Sequence, residues 1–184
     1  MRTTRLDAPK RLVAVTLMFV AVSSNNAAVA ANIEKQRQLF KDVYPSAELG
    51  SWNAVDNLTS DDRRQLEQYV LWPDLRAAYL RANLATTGRS AIDDFLRQHG
   101  TLRPARELRY RLALHLARND DLAAYRQIYE RFYQGQEIAK LDCLALQAEL
   151  DEARYSRVSG RALQLWLVGN SQVDECDPVF TYLE

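Results

Sequence analysis

Apolar residues recur every three or four positions through most of the chain. Leu108, Leu112 and Leu116 mark one such face, and Tyr125 and Tyr129 belong to the next. Side chains return to the same side of an α-helix at this spacing, so each segment has one apolar face to bury against a neighbour. Sustained alternation of apolar and polar residues, which is typical of strands, does not occur in the sequence. The pattern predicts an all-α protein.

Glycine, proline and capping residues divide the periodic segments. Gly88 and Gly100 stand where segments end, and Ser60, Ser90 and Asp120 can cap the segments that follow. The predicted helices cover residues 33–43, 47–57, 63–71, 74–85, 91–99, 105–118, 122–133, 143–149 and 156–168, with a last helix opening at Pro178. Many short helices joined by tight turns favour stacked pairs over a closed bundle. No strict repeat of about 34 residues is present. The predicted architecture is therefore an irregular right-handed α-superhelix of stacked short helix pairs, TPR-like but without a regular repeat.

The N-terminus has the three parts of a secretory signal peptide. Residues 2–11 hold four basic side chains, residues 12–22 form an apolar run, and Ala28-Val29-Ala30 supplies a small-x-small cleavage site. The apolar run is too short to span a bilayer as a stable helix, although an uncleaved N-terminal anchor remains the alternative. The sequence predicts a signal peptide over residues 1–30, cleaved after Ala30, a helical domain over residues 31–184, and export to the periplasm.

Export changes the charge balance. The full chain has 24 basic and 24 acidic residues, and residues 1–30 hold four of the basic and one of the acidic ones. The predicted exported chain thus carries 20 basic and 23 acidic residues, a net charge of about −3. A mildly acidic chain does not attract nucleic acid or anionic membranes at long range. Nucleic-acid binding is therefore disfavoured, and no second apolar segment predicts a membrane span.

The usual residues of catalysis and cofactor binding are scarce. The two histidines, His99 and His115, lie sixteen positions apart without cysteine or carboxylate partners at metal-ligand spacing. Glycine-rich phosphate loops, dinucleotide fingerprints and serine-nucleophile motifs do not occur in the sequence. We therefore predict no metal and no cofactor, and expect His115 at a helix boundary between core and surface.

Paired carboxylates could in principle cleave a glycosidic bond. The candidates are Asp61-Asp62, Asp93-Asp94, Asp120-Asp121 and the run from Glu149 to Glu152. The three aspartate pairs stand at predicted helix starts, where negative charge complements the helix dipole and caps free amides. A general acid needs an apolar pocket to raise its pKa, and the flanking residues do not predict one. Helix capping is the favoured role for the three aspartate pairs. The run from Glu149 to Glu152 is interpreted as a solvated helix end.

Aromatic residues offer a second possible site. Tyr125, Tyr129, Phe132 and Tyr133, with Trp166, could form a surface on which a sugar stacks. Their spacing is also that of a buried helix face, and packing between helices is the favoured interpretation.

Cys143 and Cys176 are the only two cysteines. In the cytosol such a pair would be free thiols, whereas in an exported chain two cysteines predict one disulfide. We predict a Cys143–Cys176 bond that closes a loop of about 34 residues and stabilises the fold by about 3–4 kcal/mol.

Three segments together resemble a known family. Residues 69–80, with Trp72-Pro73 and Tyr79-Leu80, look like one conserved segment of the soluble lytic murein transglycosylases. Residues 95–109, from Phe95-Leu96 to Leu108-Arg109, are similar to that family's "FL…LPxAxxLR" segment. Residues 143–180 resemble its "C…A…LWLxGxSxPxxCDPLF" segment. The order and spacing of all three agree with the family from Ile33 onward.

The resemblance implies a fold, a location and a partner. It corresponds to the superhelical U-shaped region of these periplasmic enzymes, which cleave the β-1,4 bond between N-acetylmuramic acid and N-acetylglucosamine in peptidoglycan and form a 1,6-anhydro product. The family's catalytic glutamate lies in a C-terminal lysozyme-like domain, in a Glu-Ser dipeptide followed by Gly-Leu-Met-Gln and Ala-Tyr-Asn segments. None of these strings occurs in the sequence. We therefore assign no catalytic residue.

Three hypotheses follow. The favoured one is the helical scaffold portion of a lytic transglycosylase, inactive alone; because the sequence stops in an apparent unfinished helix near Phe180, a truncated or split gene product is expected. The alternative is a free-standing periplasmic helical-repeat module that holds glycan or protein partners. A stand-alone glycosidase that uses its own carboxylates is the least favoured.

Overall fold

The described part of the chain is built of helices joined by short turns. The computed structural model describes residues 12–168 and 172–184, with side chains from residue 29 onward. Within these ranges there are ten α-helices and one short 3-10 helix, with no strand. The helices are α1 Leu12–Glu48, α2 Asn53–Asp56, α3 Ser60–Glu67, α4 Trp72–Ala82, α5 Arg89–His99, α6 Arg103–Arg118, α7 Leu122–Phe132, α8 Ala139–Asp151, α9 Tyr155–Trp166 and α10 Asp177–Thr181; the 3-10 helix is Asp174–Cys176. The predicted all-α fold class is confirmed.

The chain forms two compact units, of which the first ends at Tyr79. Its core is built where α1 meets the short helices after it, around the buried side chains Val43, Ala47, Val55, Leu66 and Leu75. Aromatic rings enclose this core in edge-on and tilted contacts, which aromatic quadrupoles favour over face-to-face stacking. These include Trp52–Trp72 at 5.8 Å and Trp52–Tyr79 at 4.9 Å between ring centroids.

The second unit begins at Leu80 and stacks its helices in chain order. α5 packs on α6, α6 on α7, α7 on α8 and α8 on α9, while α10 returns to contact both α8 and α9. The predicted apolar faces are the ones buried: Leu108 and Leu112 on α6 meet Tyr125 and Tyr129 on α7 in the unit's interior. Stacking of consecutive helices agrees with the predicted helix pairs.

The predicted break between residues 43 and 47 is wrong, because α1 continues through Pro45 to Glu48. Proline inside a helix removes one backbone hydrogen bond and crowds the preceding turn. Val43 and Ala47, on either side of it, are 2% and 0% exposed in the core of the first unit. Their burial offsets the local cost. The predicted helix over residues 47–57 is replaced by a turn at Gly50, with φ of 81°, and the one-turn helix α2.

The predicted signal peptide falls only partly on described residues. Residues 1–11 lie outside them, and Ala30, the predicted cleavage residue, is an exposed position within α1. Among the described helices, none is both long enough and apolar enough to cross a membrane.

Candidate functional site

A disulfide bond joins α8 to the 3-10 helix. Cys143 and Cys176 have Cα atoms 4.9 Å apart, and both residues are fully buried beside Phe180. Lys140 forms an ion pair with Glu175, which lies next to Cys176 in the chain, and this hydrogen bond lowers the pKa of the Glu175 carboxyl. The cross-link thus fastens the chain that leads into α10 against α8, where the sequence predicted it.

A buried hydroxyl lies at the centre of a polar network in the second unit, the tyrosine network of Tyr129, Asp142, Glu149 and Arg161. The Tyr129 hydroxyl donates to Asp142 Oδ1 and accepts from Arg161 Nη2 at 2.9 Å. Arg161 Nη1 also donates to Glu149 Oε1 at 3.2 Å. Burial raises the pKa of Tyr129, as does the hydrogen bond to Asp142, so the phenol remains a neutral donor. The network links α7, α8 and α9.

Three members of the tyrosine network line a cleft in the second unit. This cleft has a volume of about 640 Å³, and its lining combines Tyr129, Asp142 and Arg161 with glutamine side chains and the apolar Leu165. Both carboxylates of the network already accept hydrogen bonds from a tyrosine or an arginine. Glu137 also lines the cleft, so what the cleft offers a ligand is hydrogen-bonding groups and one further carboxylate beside an apolar wall.

The second cleft lies between α5, α6 and α7 and has a volume of about 730 Å³. Four guanidinium groups line it, and the name arginine cleft is used for it below. They belong to Arg89, Arg97, Arg109 and Arg131. The sequence placed Arg109 in a family motif but predicted no such cluster, because helix packing brings together residues that lie up to 42 positions apart.

The paired carboxylates serve as caps and ion-pair partners. Asp62 lies in the first turn of α3, where Thr59 is the N-cap and accepts from the Asp62 amide at 3.2 Å. Asp121 caps α7 by accepting from the Ala124 amide at 3.2 Å. Asp61 and Asp62 lie in the first turn of α3, as predicted, but the cap is Thr59 and not the predicted Ser60. Capping is confirmed for Asp120-Asp121, where the cap is Asp121 and not the predicted Asp120.

The third pair does not cap a helix. Gly88, and not Ser90, is the N-cap of α5, and Asp93 and Asp94 lie beyond its first turn. Asp93 accepts from Arg89 at 2.9 Å and Asp94 from Arg97 at 2.6 Å, both within one turn of the same helix. The predicted capping role is therefore wrong for this pair, which forms exposed ion pairs at helical spacing.

Glu149 is not the solvated residue that the sequence predicted. Its side chain is only 13% exposed, and Oε2 is buried without a hydrogen-bond partner while Oε1 accepts from Arg161. Glu152 pairs with Arg126 and Arg154 at the surface. The helix face that carries Glu149 turns towards Arg161 on α9, a contact between helices that the sequence did not predict.

The candidate sugar-stacking aromatics do not form a common surface. Tyr125, Tyr129 and Tyr133 are buried, as the packing interpretation expected. Phe132 lies at the arginine cleft, where the Arg109 guanidinium covers its ring at 3.8 Å. Trp166 is 53% exposed and contacts Phe180 edge-on at 4.8 Å.

His115 lies half-buried near the end of α6, at the boundary between core and surface that the sequence predicted, with Asn119 Nδ2 at 3.4 Å from its ring Nδ1. Among the residues whose side chains are described, no three histidine, cysteine, aspartate or glutamate side chains gather into a group that could hold a metal ion.

The fold and the cross-link define a class: an all-α array of short, consecutively packed helices, closed by one disulfide near its C-terminal end. No protein-family model matches the chain. The chain is 25% identical over 171 residues to the soluble lytic murein transglycosylase of Escherichia coli K12 and, at the same identity and length, to that of Salmonella typhimurium. Each match covers 93% of this chain and 25% of the relative.

A solved structure agrees with these matches. The structure of the 70-kDa soluble lytic transglycosylase in complex with bulgecin A superposes with a TM-score of 0.62 and 23% identity, over 82% of this chain and 23% of that one. The chain is thus related to the soluble lytic murein transglycosylases, the family that its three sequence segments resemble, and it spans about a quarter of the length of the curated relatives it matches.

Proposed function

We propose that this chain is the helical scaffold portion of a periplasmic lytic murein transglycosylase. In this role it holds murein during peptidoglycan turnover and does not cleave the glycan by itself. The alignment over 93% of the chain to only 25% of the relatives carries the proposal. Nearly the whole of this chain thus aligns with one region of those longer enzymes.

Four of the described carboxylates fit a chain that does not cleave glycan by itself. Asp62 pairs with Lys35, Asp121 caps α7, Asp93 pairs with an arginine, and Asp142 accepts from Tyr129. A general acid for glycoside cleavage needs an apolar pocket that keeps it protonated. These four carboxylates instead face an ammonium, an amide, a guanidinium or a hydroxyl.

The periplasm is the proposed location, reached through a signal peptide cleaved after Ala30. A buried disulfide is typical of proteins that fold in an oxidising compartment. Cys143 and Cys176 form such a bond, and the basic, apolar and small-residue segments at the N-terminus fit export.

Incubation of the purified protein with murein sacculi tests the proposal. We expect the protein to sediment with sacculi and to release no anhydro-muropeptides, while a full-length soluble lytic murein transglycosylase, as a positive control, releases them. Anhydro-muropeptide release by this chain would overturn the non-catalytic role. If the protein stayed in the supernatant, murein holding would be wrong, and the alternative of a module that holds periplasmic proteins would take its place.

A further inference from the structure

The arginine cleft carries a concentration of positive charge, although the full chain has no net charge. The full sequence has equal numbers of basic and acidic residues, yet four guanidinium groups and only one carboxylate, Asp93, line this cleft. Arg89 and Arg97 each have a carboxylate partner on α5. In the part of the chain whose side chains are described, Arg109 and Arg131 form no salt bridge.

Arg109 is held in place without a counter-ion. Its guanidinium covers the Phe132 ring at 3.8 Å, and Nη2 donates to the Gly100 carbonyl at 3.1 Å. Nε is buried and has no hydrogen-bond partner. Burial, together with the charges of Arg131 and Arg106, lowers the pKa of Arg109, although Tyr133 opposes this. A partly desolvated cation without a carboxylate costs free energy that an anion in the cleft would offset.

The backbone leaves room for this guanidinium. A Cβ atom at Gly100 would lie 2.7 Å from the Leu96 carbonyl oxygen and 3.3 Å from Arg109 Nη2. The bond to the Gly100 carbonyl also satisfies an acceptor at the end of α5, which is a structural role for one nitrogen of Arg109. It leaves the positive charge itself uncompensated.

Arg131 approaches the same aromatic ring. Its guanidinium lies 5.0 Å from the Phe132 centroid, so two cations contact one ring. Contact with the aromatic face stabilises each cation, but the two like charges near one another oppose this. An anion in the cleft would interact favourably with both.

We propose that the arginine cleft binds the free carboxylates of murein peptide stems. The inference rests on the proposed function and names the part of murein that this chain would recognise. Guanidinium groups match the planar geometry of a carboxylate and can donate two parallel hydrogen bonds to it. Leu96, Ile128 and Phe132 add an apolar lining for the small side chains of a short peptide. The volume of about 730 Å³ lies in the range that ligand sites occupy.

Calorimetric titration with two matched probes tests the inference. One probe is a disaccharide tetrapeptide purified from murein, and the other is the same compound with its carboxylates amidated. We expect amidation to weaken binding roughly tenfold or more, and added salt to weaken binding of the carboxylated probe only.

Arg131→Gln provides the variant, because Arg131 is exposed and forms no ion pair that the substitution would disrupt. We expect roughly a tenfold loss of affinity for the carboxylated probe at an unchanged thermal midpoint. Arg157→Gln, on the exposed side of α9, removes the same charge away from the cleft and should leave affinity unchanged.

Three results would overturn the inference: equal affinity for both probes, unchanged affinity of the Arg131→Gln protein, or an oligoglutamate peptide binding as tightly as the tetrapeptide probe. The last would assign the cleft to acidic protein segments. Sedimentation with sacculi distinguishes failure of the proposed function from failure of the arginine cleft as a binding site. A protein that sediments but does not discriminate the probes retains the proposed function and loses this site.

Discussion

At the scale of single residues, the Tyr129 hydroxyl connects three helices of the second unit. It donates to Asp142 and accepts from Arg161, although Tyr129 itself is only 3% exposed. A buried donor that serves two partners contributes more than an exposed one, because its loss leaves those partners without compensation by water. The tyrosine network is therefore expected to stabilise the packing of α7 on α8 and α9.

Tyr129→Phe removes this hydroxyl and keeps the ring. We expect the free energy of unfolding to fall by about 1–3 kcal/mol, because Asp142 and Arg161 each lose a buried hydrogen bond. Urea denaturation measures the change. Tyr155→Phe is the matched control, since its ring is 51% exposed and stacks on Tyr182. It should change stability by less than about 0.5 kcal/mol, and equal effects of the two substitutions would contradict the role of the network.

Residue-scale prediction from sequence succeeded where the chemistry was local. An aspartate or threonine oxygen near a helix start finds a backbone amide within three residues, so the first-turn position of Asp61-Asp62 and capping by Asp120-Asp121 could be read from spacing. The choice of Thr59 over Ser60 depends on which residue adopts the extended backbone, here φ −61° and ψ 156° at Thr59. Arg161 had no sequence signal, because its partners lie 12 and 32 positions away.

At the scale of helices, two glycines differ in the space that surrounds them. Gly100 ends α5, where an added Cβ would meet a carbonyl oxygen at 2.7 Å, whereas a Cβ at Gly160, inside α9, would meet nothing within 4 Å. We therefore expect a glycine-to-alanine substitution to change the free energy of unfolding in opposite directions at these two positions.

We expect Gly100→Ala to lower the free energy of unfolding by about 1–3 kcal/mol, since backbone must shift to accept the methyl group. Gly160→Ala should raise it by about 0.5–1 kcal/mol, because alanine loses less backbone freedom on entering a helix. Thermal and urea denaturation of both variants measure the two changes. Destabilisation by Gly160→Ala would show that α9 is packed more tightly at that position than the structure describes.

The disulfide stabilises the arrangement of α8, the 3-10 helix and α10. Its cysteines are separated by 33 positions, and chain-entropy arguments give about 3–4 kcal/mol for closing a loop of this length in the unfolded state. We expect reduction to lower the free energy of unfolding by about this amount, as measured by urea denaturation with and without dithiothreitol. The Cys143→Ala/Cys176→Ala protein is the control and should not respond to the reductant. Two free thiols in the exported protein, detected by mass spectrometry, would refute the cross-link.

At the scale of the whole molecule, each compact unit has its own buried cluster. The first is built around Val55, Leu66 and Leu75, and the second includes Leu146, Val158 and Val179. The proposed location and partner also belong to this scale, because they concern the whole chain and not any one helix.

Export predicts a mature protein that begins at Ala31. Expressed as residues 1–184 in a Gram-negative host, the protein should be recovered from the periplasm with a mass that corresponds to residues 31–184. Ala30→Asp should block processing, because signal cleavage requires a small residue at that position. Asn32→Asp, which introduces the same side chain beyond the predicted cleavage site, should be processed normally. Recovery of the uncleaved chain from both the parent and the Asn32→Asp protein would refute the signal peptide.

The sequence by itself determined the helical class, the apolar faces, the cysteine pair and the family resemblance. These follow from periodicity, composition and motif spacing, which are local or nearly local properties of the chain. Only the tertiary structure decided that α1 continues through Pro45, that Glu149 is buried against Arg161, and that Arg109 and Arg131 meet at Phe132. Each of these depends on contacts between helices, whose burial energies exceed the local preferences that a sequence displays.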